Sequence, residues 1–121
     1  MNPVKFLCGR KYLLSALMLS ATLTASSAVA TTTTATISQV LLLSSVNLVY
    51  VYPTGGLSPT SPSCAAGTAY YSFSYTRTMG PAYLAGLLAA QASGASVTLY
   101  GTAGCTDQNV SETLAYFSIN Q

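Results

Sequence analysis

The sequence predicts a single, mostly β domain that carries one α-helix, and three observations lead to this prediction. Residues 69–75 alternate Tyr71, Phe73 and Tyr75 with smaller or polar side chains, which is the period-two pattern of a half-buried strand. Residues 81–93 change to helical spacing. Residues 96–100 then return to an alternating strand pattern. The side of the helix predicted to face the core carries Tyr83, Leu84, Leu87, Leu88 and Gln91.

The first thirty residues have the pattern of a secretory signal. Three basic residues precede a mostly apolar run over residues 12–23, and Ala28-Val29-Ala30 supplies the small residues of a cleavage site. We therefore expect cleavage near Ala30, a secreted or periplasmic protein, and one mature domain over residues 31–121. An uncleaved membrane anchor is the alternative, although the apolar run is short for a span.

The mature part is poor in charge. Its charged residues are Arg77, Asp107 and Glu112, so one basic and two acidic residues give a net charge of −1. One arginine cannot neutralise a phosphate backbone, so nucleic acid is not an expected partner. Asp107 lies in a turn signal, where it is predicted to bond its own backbone, and Glu112 is predicted to be a solvated charge at a strand start.

Those two acids are also all that an acid–base enzyme would have available, because the chain contains no His and the mature part no Lys. The prediction is a non-catalytic protein without cofactor or metal, and a small hydrolase using Asp107 and Glu112 is the minor alternative. The two mature cysteines, Cys64 and Cys105, form an even pair in an exported chain and are predicted to form a disulfide.

The N-terminal half of the mature chain reads as two strands and a loop. The threonine-rich run 31–36 is predicted to fray or to extend the first strand. Residues 37–43 and 48–52 are rich in β-branched and aromatic side chains and predict two β runs. Ser44, Ser45 and Asn47 between them predict a tight turn or a bulge in one long strand. Three prolines and three glycines within residues 53–67 predict an irregular loop.

The C-terminal half holds the helix and two further strands. Thr78 is the candidate N-cap of the helix, and Gly94 lies just past its end. Residues 101–109 form a turn region, and residues 112–119 a last strand. The order β-β-β-α-β-β, with the helix between strands 3 and 4, is that of the five-stranded Greek-key barrel called the OB-fold. An open α+β sheet is the alternative.

Two features of composition bear on function. Tyr, Ser and Thr are abundant, and their rings and hydroxyls suit either neutral ligands such as sugars or wet protein–protein surfaces. The helix is nearly uncharged, with small residues opposite its leucines, which favours packing in a homo-oligomer. High helix propensity of alanine on an exposed face is the alternative. The predicted interface residues are Ala82, Ala85, Gly86 and Ala89.

The segment Ala82-Tyr83-Leu84-Ala85-Gly86-Leu87-Leu88-Ala89-Ala90-Gln91-Ala92-Ser93-Gly94-Ala95-Ser96-Val97-Thr98-Leu99-Tyr100 resembles the B subunits of AB5 toxins of the subtilase-cytotoxin type, which have a helix, a glycine-containing turn and a strand of the form Val-x-[Ile/Leu]-Tyr. The resemblance implies an OB-fold, a homopentamer whose helices line a pore, binding of sialylated host-cell glycans, and a catalytic A subunit as partner.

The resemblance also implies site residues. It suggests glycan contacts from Ser38 and Gln39 at the first strand and from Tyr100, while Gly101 stands where the family type has a second aromatic residue. A secreted structural or protein-interaction OB-fold protein without a sugar site is the alternative function.

Overall fold

The computed structural model describes residues 28–57 and 61–121, so the predicted signal segment up to residue 27 lies outside the described residues. No helix in this described part has both the length and the hydropathy that crossing a membrane requires. The elements in chain order are β1 (Thr32–Ala35), β2 (Ile37–Leu43), β3 (Leu48–Pro53), a 3-10 turn (Ser63–Ala65), β4 (Tyr71–Ser74), α1 (Gly80–Ser93), β5 (Val97–Gly101) and β6 (Leu114–Ile119).

The strands form two three-stranded antiparallel sheets, with the orders β1-β5-β6 and β2-β3-β4. The mostly β architecture with one helix is therefore confirmed. Neither sheet closes on itself within the described residues, so the predicted OB-fold barrel is not confirmed.

The threonine-rich run is neither frayed nor part of the first predicted strand. It forms β1, which pairs with β5 in one sheet, while β2 pairs with β3 in the other. Only Thr36 separates the two strands, and its carbonyl accepts a hydrogen bond from the Thr54 N–H (2.9 Å). The chain thus changes sheets at one residue, and the backbone groups of the β-branched threonines are paired with β5.

The core contains the inward residues of both sheets and one side of α1. Its buried members are Ile37, Val49, Val51, Tyr71, Phe73, Leu87, Ala90, Val97, Leu99 and Leu114. On α1, Leu87 is fully buried whereas Leu88, also predicted to face the core, is 41 % exposed. Ala90, which was not predicted to face the core, is buried together with Leu87.

The ends of the helix were predicted with mixed success. Gly94 ends it in the left-handed conformation (φ 67°), a backbone geometry that glycine adopts without steric cost, as predicted. The N-cap is Met79 and not Thr78, and no side chain caps the first turn. The Gly80 N–H instead bonds to the Arg77 carbonyl at 2.8 Å, so a backbone turn leads into the helix.

The segment between β5 and β6 folds back over the β2-β3-β4 sheet. Cys105, at its start, forms the predicted disulfide with Cys64, with the two Cα atoms 6.2 Å apart. Further along, the Ser72 N–H donates to the Glu112 carbonyl at 3.0 Å, and Ser72 and Thr113 form an isolated parallel bridge. These contacts join the two sheets.

Candidate functional site

The outer face of the β1-β5-β6 sheet carries two rows of neutral hydroxyl-bearing residues. Strand alternation turns Val97 and Leu99 into the core and leaves the residues between them partly exposed. The register places three residues side by side in each row, one from each strand. We call this surface the hydroxyl face; its rows are Thr32, Tyr100, Tyr116 and Thr34, Thr98, Ser118.

A stacked tyrosine pair dominates the first row. The rings of Tyr100 and Tyr116 lie with centroids 4.4 Å apart and planes inclined by 19°. Tyr116 is 54 % exposed, so a large part of an aromatic surface is open to a ligand. Stacked tyrosine rings form an apolar surface with polar edges, which suits the faces of sugar rings.

Hydroxyl groups form the second row, and the amide of Asn120 lies beside it. The Oγ1 atoms of Thr34 and Thr98 are 2.9 Å apart, and the Asn120 Nδ2 donates to Thr98 Oγ1 at 3.1 Å. These contacts fix the direction of the side chains while leaving some of their hydrogen-bonding capacity to solvent or a ligand. None of the three described charged side chains belongs to either row. The hydroxyl face therefore offers neutral hydrogen bonds beside an aromatic surface.

The predicted site residues do not lie on one sheet. Tyr100 is on the central strand of the hydroxyl face, whereas Ser38 and Gln39 are exposed on β2, an edge strand of the other sheet. Ser38 Oγ donates to the Tyr52 carbonyl at 2.9 Å, and Gln91 of α1 donates to the Ser38 carbonyl at 3.3 Å. Ser38 therefore contributes to the contact between β2 and the helix.

Sequence reasoning missed Tyr116 and Thr98 as site candidates. Alternation within residues 96–100 and 112–119 showed which side chains share a face of their own strand. It did not show that the two strands pair, nor that β1 pairs with β5. The hydroxyl face exists only through these pairings between distant segments.

A second tyrosine cluster lies on the β2-β3-β4 sheet and was also not predicted. Tyr50 stacks on Tyr70 with centroids 4.6 Å apart, and Tyr52 lies 4.9 Å from Tyr70. Gln108 donates to the Tyr50 hydroxyl and accepts from the Tyr70 hydroxyl at 3.1 Å. Burial, reinforced by the neighbouring tyrosines, raises the pKa of Tyr50. Because Gln108 covers it, this cluster is a poorer ligand platform than the hydroxyl face.

The absence of a side chain at position 101 is explained by the packing around it. Gly101 faces inward on β5, and a Cβ atom there would lie 2.0 Å from Glu112 Oε1. The predicted solvated position of Glu112 is wrong, since the residue is fully buried. The carboxyl group of Glu112 thus fills the space that a side chain at position 101 would need, and the family-type aromatic residue has no room there.

Asp107 and Glu112, the two acids of the hydrolase alternative, both accept hydrogen bonds from backbone N–H groups. Asp107 Oδ2 accepts the Ser74 N–H at 2.7 Å, so it bonds a distant strand and not its own turn as predicted. Glu112 Oε1 accepts the N–H groups of Thr31 and Ala103, each at 3.0 Å. A substrate does not reach the enclosed carboxyl group of Glu112 in this structure.

The helix residues predicted for an oligomer interface divide into two groups. Ala82, Ala85 and Ala89 are exposed and form a small, uncharged surface. Gly86 is partly buried, and a Cβ there would lie 2.9 Å from the Phe117 ring, so its lack of a side chain is required within the chain.

Comparison of the chain with known protein families, with curated proteins and with solved structures finds no match.

Proposed function

We propose that this chain is a secreted, non-catalytic subunit that binds host cell-surface glycans through the hydroxyl face. In this proposal it is a B subunit of the AB5-toxin type, an OB-fold protein that assembles as a homopentamer and carries an A subunit. The single observation that carries the glycan proposal is the exposed Tyr100–Tyr116 stack beside rows of neutral hydroxyls.

The chemistry of the hydroxyl face narrows the class of ligand. Uncharged donors and acceptors match the hydroxyl groups of sugars, and the tyrosine rings match their apolar faces. A sialic acid carboxylate would be held by O–H and N–H donors alone, since no cation belongs to the face. Sialylated and neutral glycans are therefore the two ligand groups that an experiment must separate.

The pentamer is supported by the outer surface of α1. Ala82, Ala85 and Ala89 are exposed without a charged neighbour on the helix, and Leu88 is 41 % exposed on the same element. Small side chains allow helices of neighbouring copies to approach closely. Burial of this surface between copies would remove apolar area from water.

A glycan array tests the proposal. The exported protein is applied beside a Tyr116→Ala variant and a Tyr75→Ala control, because Tyr75 is 41 % exposed but lies at the end of the other sheet. We expect wild type and Tyr75→Ala to bind the same glycans. Loss of the stacking surface in Tyr116→Ala should weaken binding by about tenfold or more.

Light scattering on the same samples tests the assembly. A mass of five copies in all three proteins agrees with the proposal and shows that the substitutions leave the ring intact. A wild-type protein that binds neither sialylated nor neutral glycans contradicts the glycan site, and a monomeric mass contradicts the pentamer.

A protein-interaction role is the second candidate, favoured by an apolar surface elsewhere. An open cavity of about 230 Å³ lies between the β2–β3 hairpin and α1. Its walls are formed by Leu42, Leu43, Ser44, Asn47, Leu48, Val49, Tyr75 and Leu84. Leu42 is 53 % exposed, and Val46 in the same hairpin is 54 % exposed. Exposed apolar side chains around a concave surface are typical of protein contacts. A flat glycan array together with a stable protein complex would favour this role.

A further inference from the structure

The buried carboxyl group of Glu112 is incompletely partnered. Its Oε1 atom accepts two backbone hydrogen bonds, from Thr31 N–H and Ala103 N–H, each at 3.0 Å. Its Oε2 atom is buried and has no hydrogen-bond partner among the described residues. An unpaired polar atom in the interior is costly, and an unpaired charge is more so.

No side-chain cation balances this carboxyl group. Arg77 is the only Lys, Arg or His within residues 28–57 and 61–121. Its Nη1 donates to the Leu114 carbonyl at 2.7 Å, and its guanidinium lies 4.4 Å from the centre of the Tyr83 ring. Arg77 is thus held by other contacts. Buried carboxylates are normally paired with a cation or a metal, so a cation is expected here from another source.

The Thr31 nitrogen lies at the predicted cleavage site. Thr31 is fully buried, whereas Ala28, Val29 and Ala30 are exposed. The Thr31 carbonyl accepts the Gly101 N–H at 2.8 Å, which holds the residue in place at the start of β1. The boundary between exposed and buried chain therefore coincides with the Ala30–Thr31 bond that the small-residue pattern marks for cleavage.

We propose that cleavage of the Ala30–Thr31 bond creates an α-ammonium group on Thr31 that forms a buried ion pair with Glu112. Water supplies the hydrolysis: the C–N bond breaks, the Ala30 carbonyl becomes a carboxylate, and the released amine takes up a proton. The new ammonium has three N–H donors where the peptide had one. One of these donors keeps the hydrogen bond to Oε1, and a second is available to Oε2. Processing thereby supplies a donor to each oxygen of the Glu112 carboxyl group.

Gly101 belongs to the same arrangement. A side chain at this position would displace the Glu112 carboxyl group, because its Cβ would lie 2.0 Å from Oε1. Glycine at position 101 thus keeps Glu112 beside the Thr31 nitrogen. The inference depends on export and cleavage but not on glycan binding, so its failure would leave the hydroxyl face unaffected.

The chain offers a selective test, because no Lys follows Lys11 and the mature protein has a single amine. The full chain is exported, and the intact mass of the purified product identifies its first residue. An amine-reactive acetylating ester is then applied to the native protein and to the protein in denaturant, with hydroxyl adducts removed by hydroxylamine. We expect Thr31 as first residue and native labelling slowed by about a hundredfold or more.

Two variants provide the controls. Insertion of one glycine between Ala30 and Thr31 moves the new amine away from Glu112 and should restore labelling to the denatured rate. Glu112→Gln removes the carboxylate and should also abolish protection, either in a folded protein or by loss of the fold. If Glu112→Gln fails to fold, the insertion variant still decides the question.

A product that begins at another residue overturns the inference. Rapid native labelling of a chain that begins at Thr31 also overturns it, because the Thr31 amine would then be open to the reagent and not paired with Glu112. Slow labelling of the glycine-insertion variant would show that protection does not come from this pair, and it would overturn the inference as well.

Discussion

The protein holds two stacked tyrosine pairs, one on each sheet, with nearly the same geometry. The ring centroids are 4.6 Å apart in Tyr50–Tyr70 and 4.4 Å apart in Tyr100–Tyr116. Their surroundings differ. Gln108 bonds both hydroxyls of the first pair, and Tyr50 is only 9 % exposed, whereas Tyr116 is 54 % exposed.

The difference shows that stacking alone does not define a ligand surface. The segment between β5 and β6 covers the first pair and makes it part of the structure. The second pair lies on a sheet face that no segment covers within the described residues, so its hydroxyls and rings remain available. Two predictions test this contrast, the larger expected effect first, and a third concerns the buried Tyr71.

Removal of the disulfide should have the largest effect. Replacing Cys64 and Cys105 by Ser opens a loop with a sequence separation of 41 residues. The chain-entropy model gives a loss of about 4 kcal/mol in the free energy of unfolding. The urea midpoint measures this loss. Opening the loop should also separate Gln108 from Tyr50. Tyrosine nitration should then modify Tyr50–Tyr70 as readily as Tyr100–Tyr116. An unchanged midpoint would contradict the role given to the disulfide.

Removal of single hydroxyls should separate the two pairs directly. Tyr50→Phe leaves the Gln108 Nε2 without its buried acceptor, and we expect a loss of about 1–2 kcal/mol in unfolding free energy. The matched variant Tyr116→Phe should change it by no more than about 0.5 kcal/mol, because the residue is mostly exposed. Equal losses in chemical denaturation would mean that the two pairs have the same structural role.

Ionisation of the buried Tyr71 should lower the free energy of unfolding, and only at alkaline pH. The pKa of Tyr71 is raised from 10.0 to about 12, chiefly by burial; the hydrogen bond to Thr33 lowers it, and the charge of Glu112 raises it. The folded state therefore holds the proton more tightly than the unfolded state. Its stabilising contribution is complete below pH 10 and is lost between about pH 10 and 12.

Denaturation midpoints across this pH range measure that contribution. The Tyr71→Phe variant, which cannot ionise, should show a smaller decline above pH 10 than wild type. A decline of the same size in both proteins would assign the alkaline loss to other groups.

Much of the secondary structure followed from local patterns. The alternation of residues 69–75 predicted β4, and helical spacing together with Gly94 predicted α1 and its end. The even cysteine pair predicted the disulfide. Leu88 and Thr78 were assigned wrongly because helical periodicity and capping preference do not show which neighbouring element lies nearby.

Of the candidate site, Tyr100 alone was predicted among the residues of the hydroxyl face. Tyr116 and Thr98 became candidates only when β6 and β5 were seen to pair. The interface alanines of the helix remain predictions, while Gly86 is explained by the Phe117 ring.

Local sequence patterns were sufficient to predict strands β2 to β6, the helix with its glycine end, and the low charge of residues 31–121. The sheet that each strand joins, and with it the hydroxyl face and the burial of Glu112, became known from the folded chain. The reason is physical. A side-chain pattern depends on neighbours within a few residues, whereas pairing and burial depend on contacts such as Thr31 with Glu112, which are 81 residues apart.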